Sequence, residues 1–265
     1  MGSRMNSRSR PASESLARRQ RWVLAGVGLL ALVSLVTNVV LFQLASEYFR
    51  ELNAVRLDPL GLSMHAVNPV PALGADQRRV VVFGDSRAMM WFDPPGLPRY
   101  QFINRGVAQQ TTAQALARFD HEIPSLRPDI VVLELGVNDL KTIPLFPSRR
   151  HDIVETSKRN MHEIVGKIRA LGAEVVLVTV FPLGPINIVR RPFWSDDVAR
   201  AIEEINRDLE TLAENHVLIL HADEVLLDRT HVLRSPFSRD MLHLTPAAYA
   251  ALNEQMLVPI LKTLR

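Results

Sequence analysis

Apolar and polar positions divide this chain into one long uncharged stretch followed by short apolar runs that alternate with helical stripes. From Trp22 to Ser46 no residue is charged, and the core of that stretch, Trp22–Phe42, rises about 31 Å as a helix against about 30 Å of bilayer hydrocarbon. The stretch predicts a transmembrane helix over 22–45. A cleaved signal peptide has an apolar region of only about 7–15 residues and ends at an A-x-A-like site. Gln43-Leu44-Ala45 matches such a site poorly, and no face of the segment is charged as a soluble helix would require, so the expectation is an uncleaved anchor.

Residues 46–78 contain Pro59, Pro69, Pro71, Gly61 and Gly74 and lose any sustained period after their first turns, so they are expected to form a tether. A folded domain is then expected over 79–265. Its first strand is Val80-Val81-Val82-Phe83, a β-branched and aromatic run that favours burial on both faces and stops at Gly84-Asp85-Ser86. Further strands are predicted at Gln101–Asn104, Ile130–Leu135, Val175–Phe181 and Val217–Leu220. Between them, Ala113, Leu116, Ala117 and Phe119 mark one helix and Ile153, Met161, Ile164, Val165 and Ile168 a second that ends at Gly172. Val198, Ile202, Ile205, Leu209 and Leu212 form a third helical stripe, and Thr245-Pro246 opens a last helix as N-cap and first-turn proline. This alternation predicts one α/β domain of three layers, a parallel sheet with helices on both faces.

Charge changes the picture only at the amino terminus. The formal net charge is +3, but residues 1–21 hold six arginines against Glu14 alone, leaving 25 basic and 27 acidic residues in the rest. The folded part is thus nearly neutral, which argues against a nucleic-acid partner. The same arginines, read by the positive-inside rule, put residues 1–21 in the cytoplasm as a basic arm and everything after residue 45 outside it. There is no cysteine, so no disulfide and no thiolate nucleophile.

In a parallel sheet the carboxyl ends of the strands lie on one side, where ligands bind. Ser86 follows the first strand, Gly106 the second, Gly136-Val137-Asn138-Asp139 the third, and Asp240-Met241-Leu242-His243 stands near the carboxyl terminus. Acyl transfer needs a nucleophile, a base, a group that orients the base, and donors for the oxyanion. Ser86, His243 and Asp240 can fill the first three roles, and the Ser86 N–H, the Gly106 N–H and the Asn138 amide the last. His221 and His231 lack an equally placed acid.

These blocks, in this order, resemble those of the SGNH (GDSL-like) hydrolase family over residues 79–265. The resemblance implies a flavodoxin-like sheet of five strands and serine esterase chemistry, with Ser86, Gly106, Asn138 and His243 in the four eponymous roles and Asp139 structural. Arg87, where many members carry leucine, and Ala108-Gln109-Gln110, where small residues are frequent, depart from the family's pattern. No G-x-S-x-G, H-E-x-x-H or P-loop motif occurs, and neither metal nor organic cofactor is expected. The expected protein is a single-pass membrane esterase or lipase-like hydrolase of O-acyl or O-acetyl esters, with carbohydrate or lipid as the alcohol and its catalytic domain periplasmic or extracellular. An O-acyltransferase working through acyl-Ser86, or a non-catalytic membrane-tethered scaffold, are the alternatives. Two loops are candidates for specificity, Trp91–Pro98 and Pro182–Trp194 with Arg190, Arg191, Phe193 and Trp194, although the favoured reading of both is proline-stiffened surface loops with a solvated charge pair.

Overall fold

The computed structural model describes residues 12–66, 70–188 and 190–264; Arg4, Arg8 and Arg10 of the predicted arm and Pro69 of the predicted tether lie outside them. The chain divides into a unit ending at Leu57 and a unit from Asp58 onward. Helix α1, Ala12–Leu57, makes up the first and is long and apolar enough to cross a membrane. It runs past the predicted span because 46–57 contains neither proline nor glycine, so nothing breaks the helix before Pro59.

What remains of the predicted tether belongs to the second unit. Gln110 Nε2 donates to Leu60 O (2.6 Å) and Gln114 Nε2 to Pro59 O (2.9 Å), while Arg79 Nη2 donates to Pro71 O (3.0 Å) and Gln101 Nε2 to Ala72 O (2.9 Å). The predicted domain boundary near Arg79 therefore moves to Asp58. Long amide and guanidinium side chains from the domain capture the backbone of this segment, which composition alone presents as free.

Five parallel strands, β1 (Arg78–Gly84), β2 (Tyr100–Gly106), β3 (Ile130–Glu134), β4 (Glu174–Val178) and β5 (Val217–Leu220), form one sheet in the order β2-β1-β3-β4-β5. That is the flavodoxin-like order, with its reversal between β1 and β3. Alternate side chains bury both faces. Val81, Phe83, Val131, Leu133, Val175 and Leu177 join the core on one side; Val80, Val82, Ile130, Val132, Val176 and Val178 join the other. Helices α3 (Thr112–Leu126), α5 (Arg150–Ala170) and α6 (Asp197–Glu210) supply the first layer, through Phe119, Ile164 and Ile205 among others. The second comes from the carboxyl-terminal helical segment that opens at Pro246, through Tyr249, Leu252 and Leu257.

Register fixes where the chemistry can lie. Gly84 is paired with both Gly106 and Glu134, so β1, β2 and β3 end at one level and their following loops converge. A Cβ on Gly84 would stand 1.7 Å from Glu134 O, so only glycine lets these strand ends close.

Candidate active site

Ser86 begins the short helix α2 (Ser86–Met89), which starts directly off β1. Asp85 caps it, its Oδ1 accepting from Arg87 N (2.9 Å), and this turn presents Ser86 at the switch point with only 8% of its surface exposed. Across from it, Asp240 folds its own loop: Oδ1 accepts from Leu242 N (2.7 Å) and His243 N (2.8 Å). The three-residue spacing then brings Asp240 Oδ2 to 2.8 Å from His243 Nδ1, and His243 Nε2 to 3.1 Å from Ser86 Oγ. With the Nδ1 hydrogen donated to Asp240, Nε2 is free to accept from the serine. Burial acts to raise the Asp240 carboxyl, but the bonds from the His243 ring and from the His243 and Leu242 backbones outweigh it and hold the group below its ordinary value.

Asn138 lies in α4 (Val137–Leu140), which follows β3 after Gly136. Its Nδ2 donates one hydrogen to Gln110 O (3.0 Å), leaving the second unassigned. Asp139, expected to be structural, is held by Thr112, its oxygens accepting from the backbone N–H (2.9 Å) and the hydroxyl (2.7 Å); burial, ahead of these bonds, raises its pKa.

Gly106 requires a correction. Its N–H donates to Asn104 Oδ1 (2.8 Å) and is not directed at an oxyanion. The Asn104 amide also donates to Ala88 O (2.8 Å) and Trp91 O (3.0 Å), stitching the end of β2 to α2, and a Cβ on Gly106 would meet Met89 N at 2.1 Å. Gly106 is thus a close-packing glycine. Three residues later the loop turns through Gln109, whose φ of 64° is left-handed, the conformation that ordinarily favours glycine.

Sequence reasoning also passed over the polar core behind the serine. Arg87 is fully buried; its Nε donates to Leu242 O (2.8 Å), its Nη1 to Phe181 O (3.1 Å), and its carbonyl accepts from the Tyr249 hydroxyl (2.8 Å). Glu134 lies 3.9 Å from Nη1, also fully buried. Burial pushes Asp85 up to about 6 against the pull of Arg87, and burial together with the neighbouring Asp85 carboxylate raises Glu134 well above the carboxylate range. On the other flank buried Arg118 donates from Nη2 to Gly84 O (3.0 Å) and Arg105 O (2.8 Å) and pairs with Glu122 at 2.6 Å. In the first candidate specificity loop, Trp91 is core, its Nε1 donating to Asn253 Oδ1 (2.7 Å), whereas Phe92 and, in the second loop, Phe193 are exposed.

A family model described as GDSL-like Lipase/Acylhydrolase matches residues 83–251, a span that holds Ser86, Gly106, Asn138, Asp240 and His243. The chain belongs to this family. Solved structures agree on the fold. A protein assigned as an acylhydrolase from Bacteroides fragilis superposes with a TM-score of 0.61 at 22% identity, over 77% of this chain and 96% of its own. A GDSL-like lipase from Bacteroides thetaiotaomicron gives 0.58 at 21%, over 77% and 96%, and a lipase/acylhydrolase from Enterococcus faecalis 0.51 at 22%, over 69% and 95%. No curated protein matches the chain significantly. Within the GDSL-like acylhydrolase fold, Ser86, His243 and Asp240 come together, Asn138 is bonded to Gln110 O, and the Gly106 N–H is taken by Asn104.

Proposed function

We propose that this GDSL-like acylhydrolase is a serine-dependent carboxylic ester hydrolase. The observation that carries the reading is the continuous chain of contacts from Ser86 Oγ to His243 Nε2 (3.1 Å) and from His243 Nδ1 to Asp240 Oδ2 (2.8 Å). Ser86 Oγ attacks the ester carbonyl while its proton passes to His243 Nε2, and Asp240 stabilises the imidazolium. The carbonyl electron pair moves onto oxygen, where the Ser86 N–H and the free Asn138 amide hydrogen receive it. Gln109, next to the carbonyl that Asn138 holds, takes the backbone-donor role first expected of Gly106. Collapse breaks the ester C–O bond, the leaving alkoxide takes the proton from Nε2, and water repeats the sequence on acyl-Ser86 to release the acid.

A fluorophosphonate probe tests this directly. Wild-type protein should be labelled and should hydrolyse an aryl acetate, and Ser86→Ala should lose both. Labelling that persists in folded Ser86→Ala would move the nucleophile elsewhere. Acyl groups released from envelope polysaccharide and from lipid esters would then separate the two proposed substrate classes, and transfer to a sugar hydroxyl would favour the acyltransferase reading.

The same proposal places α1 in a membrane with its amino terminus cytoplasmic, supported by Arg18, Arg19 and Arg21 ahead of the uncharged span. A reporter active only outside the cytoplasm, fused after Arg265, should work. Activity from a cytoplasm-only reporter at that point would reverse the orientation and put envelope esters out of reach.

A further inference from the structure

Arg87 reaches from beside the serine to two other loops. It is the residue after Ser86, its backbone N–H is bonded to Asp85 and its carbonyl to Tyr249, so its own position is fixed within the nucleophile turn. From there its guanidinium spans 155 residues of sequence to Leu242 O (2.8 Å) and 94 residues to Phe181 O (3.1 Å). Leu242 immediately precedes His243. Bonds inside the Asp240–His243 turn shape that turn but do not locate it against Ser86, since both partners move together. Location requires ties to other elements. Arg87 provides one to Leu242, and Gly184, whose N–H donates to Met241 O (2.9 Å), provides another.

Resting on the esterase reading above, we propose that Arg87 is a positioning residue: its buried guanidinium fastens the loop carrying His243 to the turn carrying Ser86 and so sets the approach of base to nucleophile. The fork is what suits arginine to this task. Nε and Nη1 point in fixed directions and hold carbonyls from two different loops, which the single ammonium of a lysine cannot do. Stability does not explain the choice, because a buried cation is costly to desolvate and an apolar side chain of similar volume often serves a core as well. Glu134, at 3.9 Å, is too far for a hydrogen bond to Nη1 and does not direct the fork.

Three variants test the assignment, each measured per site labelled by the fluorophosphonate probe so that misfolded protein is not counted. Arg87→Leu should lower kcat on an aryl acetate about 10- to 100-fold, the scale of a small misplacement of reacting groups, with KM within about twofold because the fully buried Arg87 cannot touch substrate. Glu134→Gln, which removes the neighbouring carboxyl but leaves both carbonyl bonds, should keep kcat near wild type. Arg87→Lys keeps the charge, reaches at most one carbonyl, and should fall between. If Arg87→Leu does not fold, Arg87→Lys decides alone: reduced kcat supports the clamp and wild-type kcat overturns it. Wild-type kcat in Arg87→Leu, or an equal loss in Glu134→Gln, overturns it as well. Ser86→Ala run alongside separates the two ideas. Labelling that survives Ser86→Ala defeats the esterase reading whatever Arg87 does, whereas labelling lost there with undiminished turnover in the Arg87 variants defeats this inference alone.

Discussion

The turn that carries His243 and the cluster beneath Ser86 hold ionisable groups in opposite ways. Asp240 and His243 keep 52% and 30% of their side chains exposed, and the turn is shaped by its own short bonds. Arg87 and Glu134 expose nothing, and Arg87 bonds to segments far away in sequence. Groups that must exchange protons with a substrate need access to it, and exposure supplies that. Groups that only hold others in place can be buried, at the cost of desolvating charge. The two regions therefore fail differently when cut.

Cutting the groups proposed to act on the ester should give the larger effects. Asp240→Asn leaves a shape like the original but withdraws the carboxylate from His243 Nδ1, and about a 10⁴-fold loss of kcat is expected on an alkyl ester. Loss on an activated aryl acetate should be smaller, since its leaving group needs less help from the protonated His243. Asn138→Ala should cost about 10²–10³ in kcat on both esters alike, with KM nearly unchanged, because the oxyanion forms with either. Measuring kcat and KM for both variants on both esters checks the division of labour. Should Asn138→Ala chiefly raise KM, Asn138 binds the ground state and the oxyanion hole contracts to backbone donors.

The same contrast explains what was legible in the sequence. Val80–Phe83 announced a strand buried on both faces, and Thr245-Pro246 announced a helix start, because burial period and capping are local properties. Asp240 and His243 were equally legible, since a carboxylate three residues before a histidine can reach its ring without help from the rest of the fold. Gly106 misled for the opposite reason. Asn104 captures its N–H and Met89 packs against it, and neither follows from a glycine after a strand. Arg87 stood in plain view beside the serine, but its partners lie 94 and 155 residues away, in loops that only the folded chain brings near. Trp91 was a candidate for contacting substrate and proved to be core, its indole N–H satisfied by Asn253 from the last helical segment.

The two regions should also differ in the sign of their response to pH, and this is the finest test of the comparison. Asp240 is held below its ordinary value in the folded protein, so it ionises more readily there than in the unfolded chain; its contribution to stability is present above the unfolded pKa and lost as pH falls. Glu134 and Asp85 are raised by burial and do the reverse. An unfolded chain releases these protons near about 4, while the folded protein retains them, so it binds more protons and stability must fall as pH rises. The fall begins near the ordinary carboxyl range, slackens for Asp85 above about 6, and continues higher for Glu134. Glu134→Gln removes one of these protons from the balance, and its amide can donate to Asp85 Oδ2, an oxygen with no other partner among the described residues. Melting temperatures measured from pH 5 to pH 8 should therefore show the Glu134→Gln protein gaining steadily on wild type, each kcal/mol of relative gain appearing as about 2–4 °C for a domain of this size. A difference that stays flat with pH would mean that Glu134 is ionised in the fold, with Arg87 rather than a proton balancing its charge, and the buried region would then be an ion pair and not a protonated acid beside a cation.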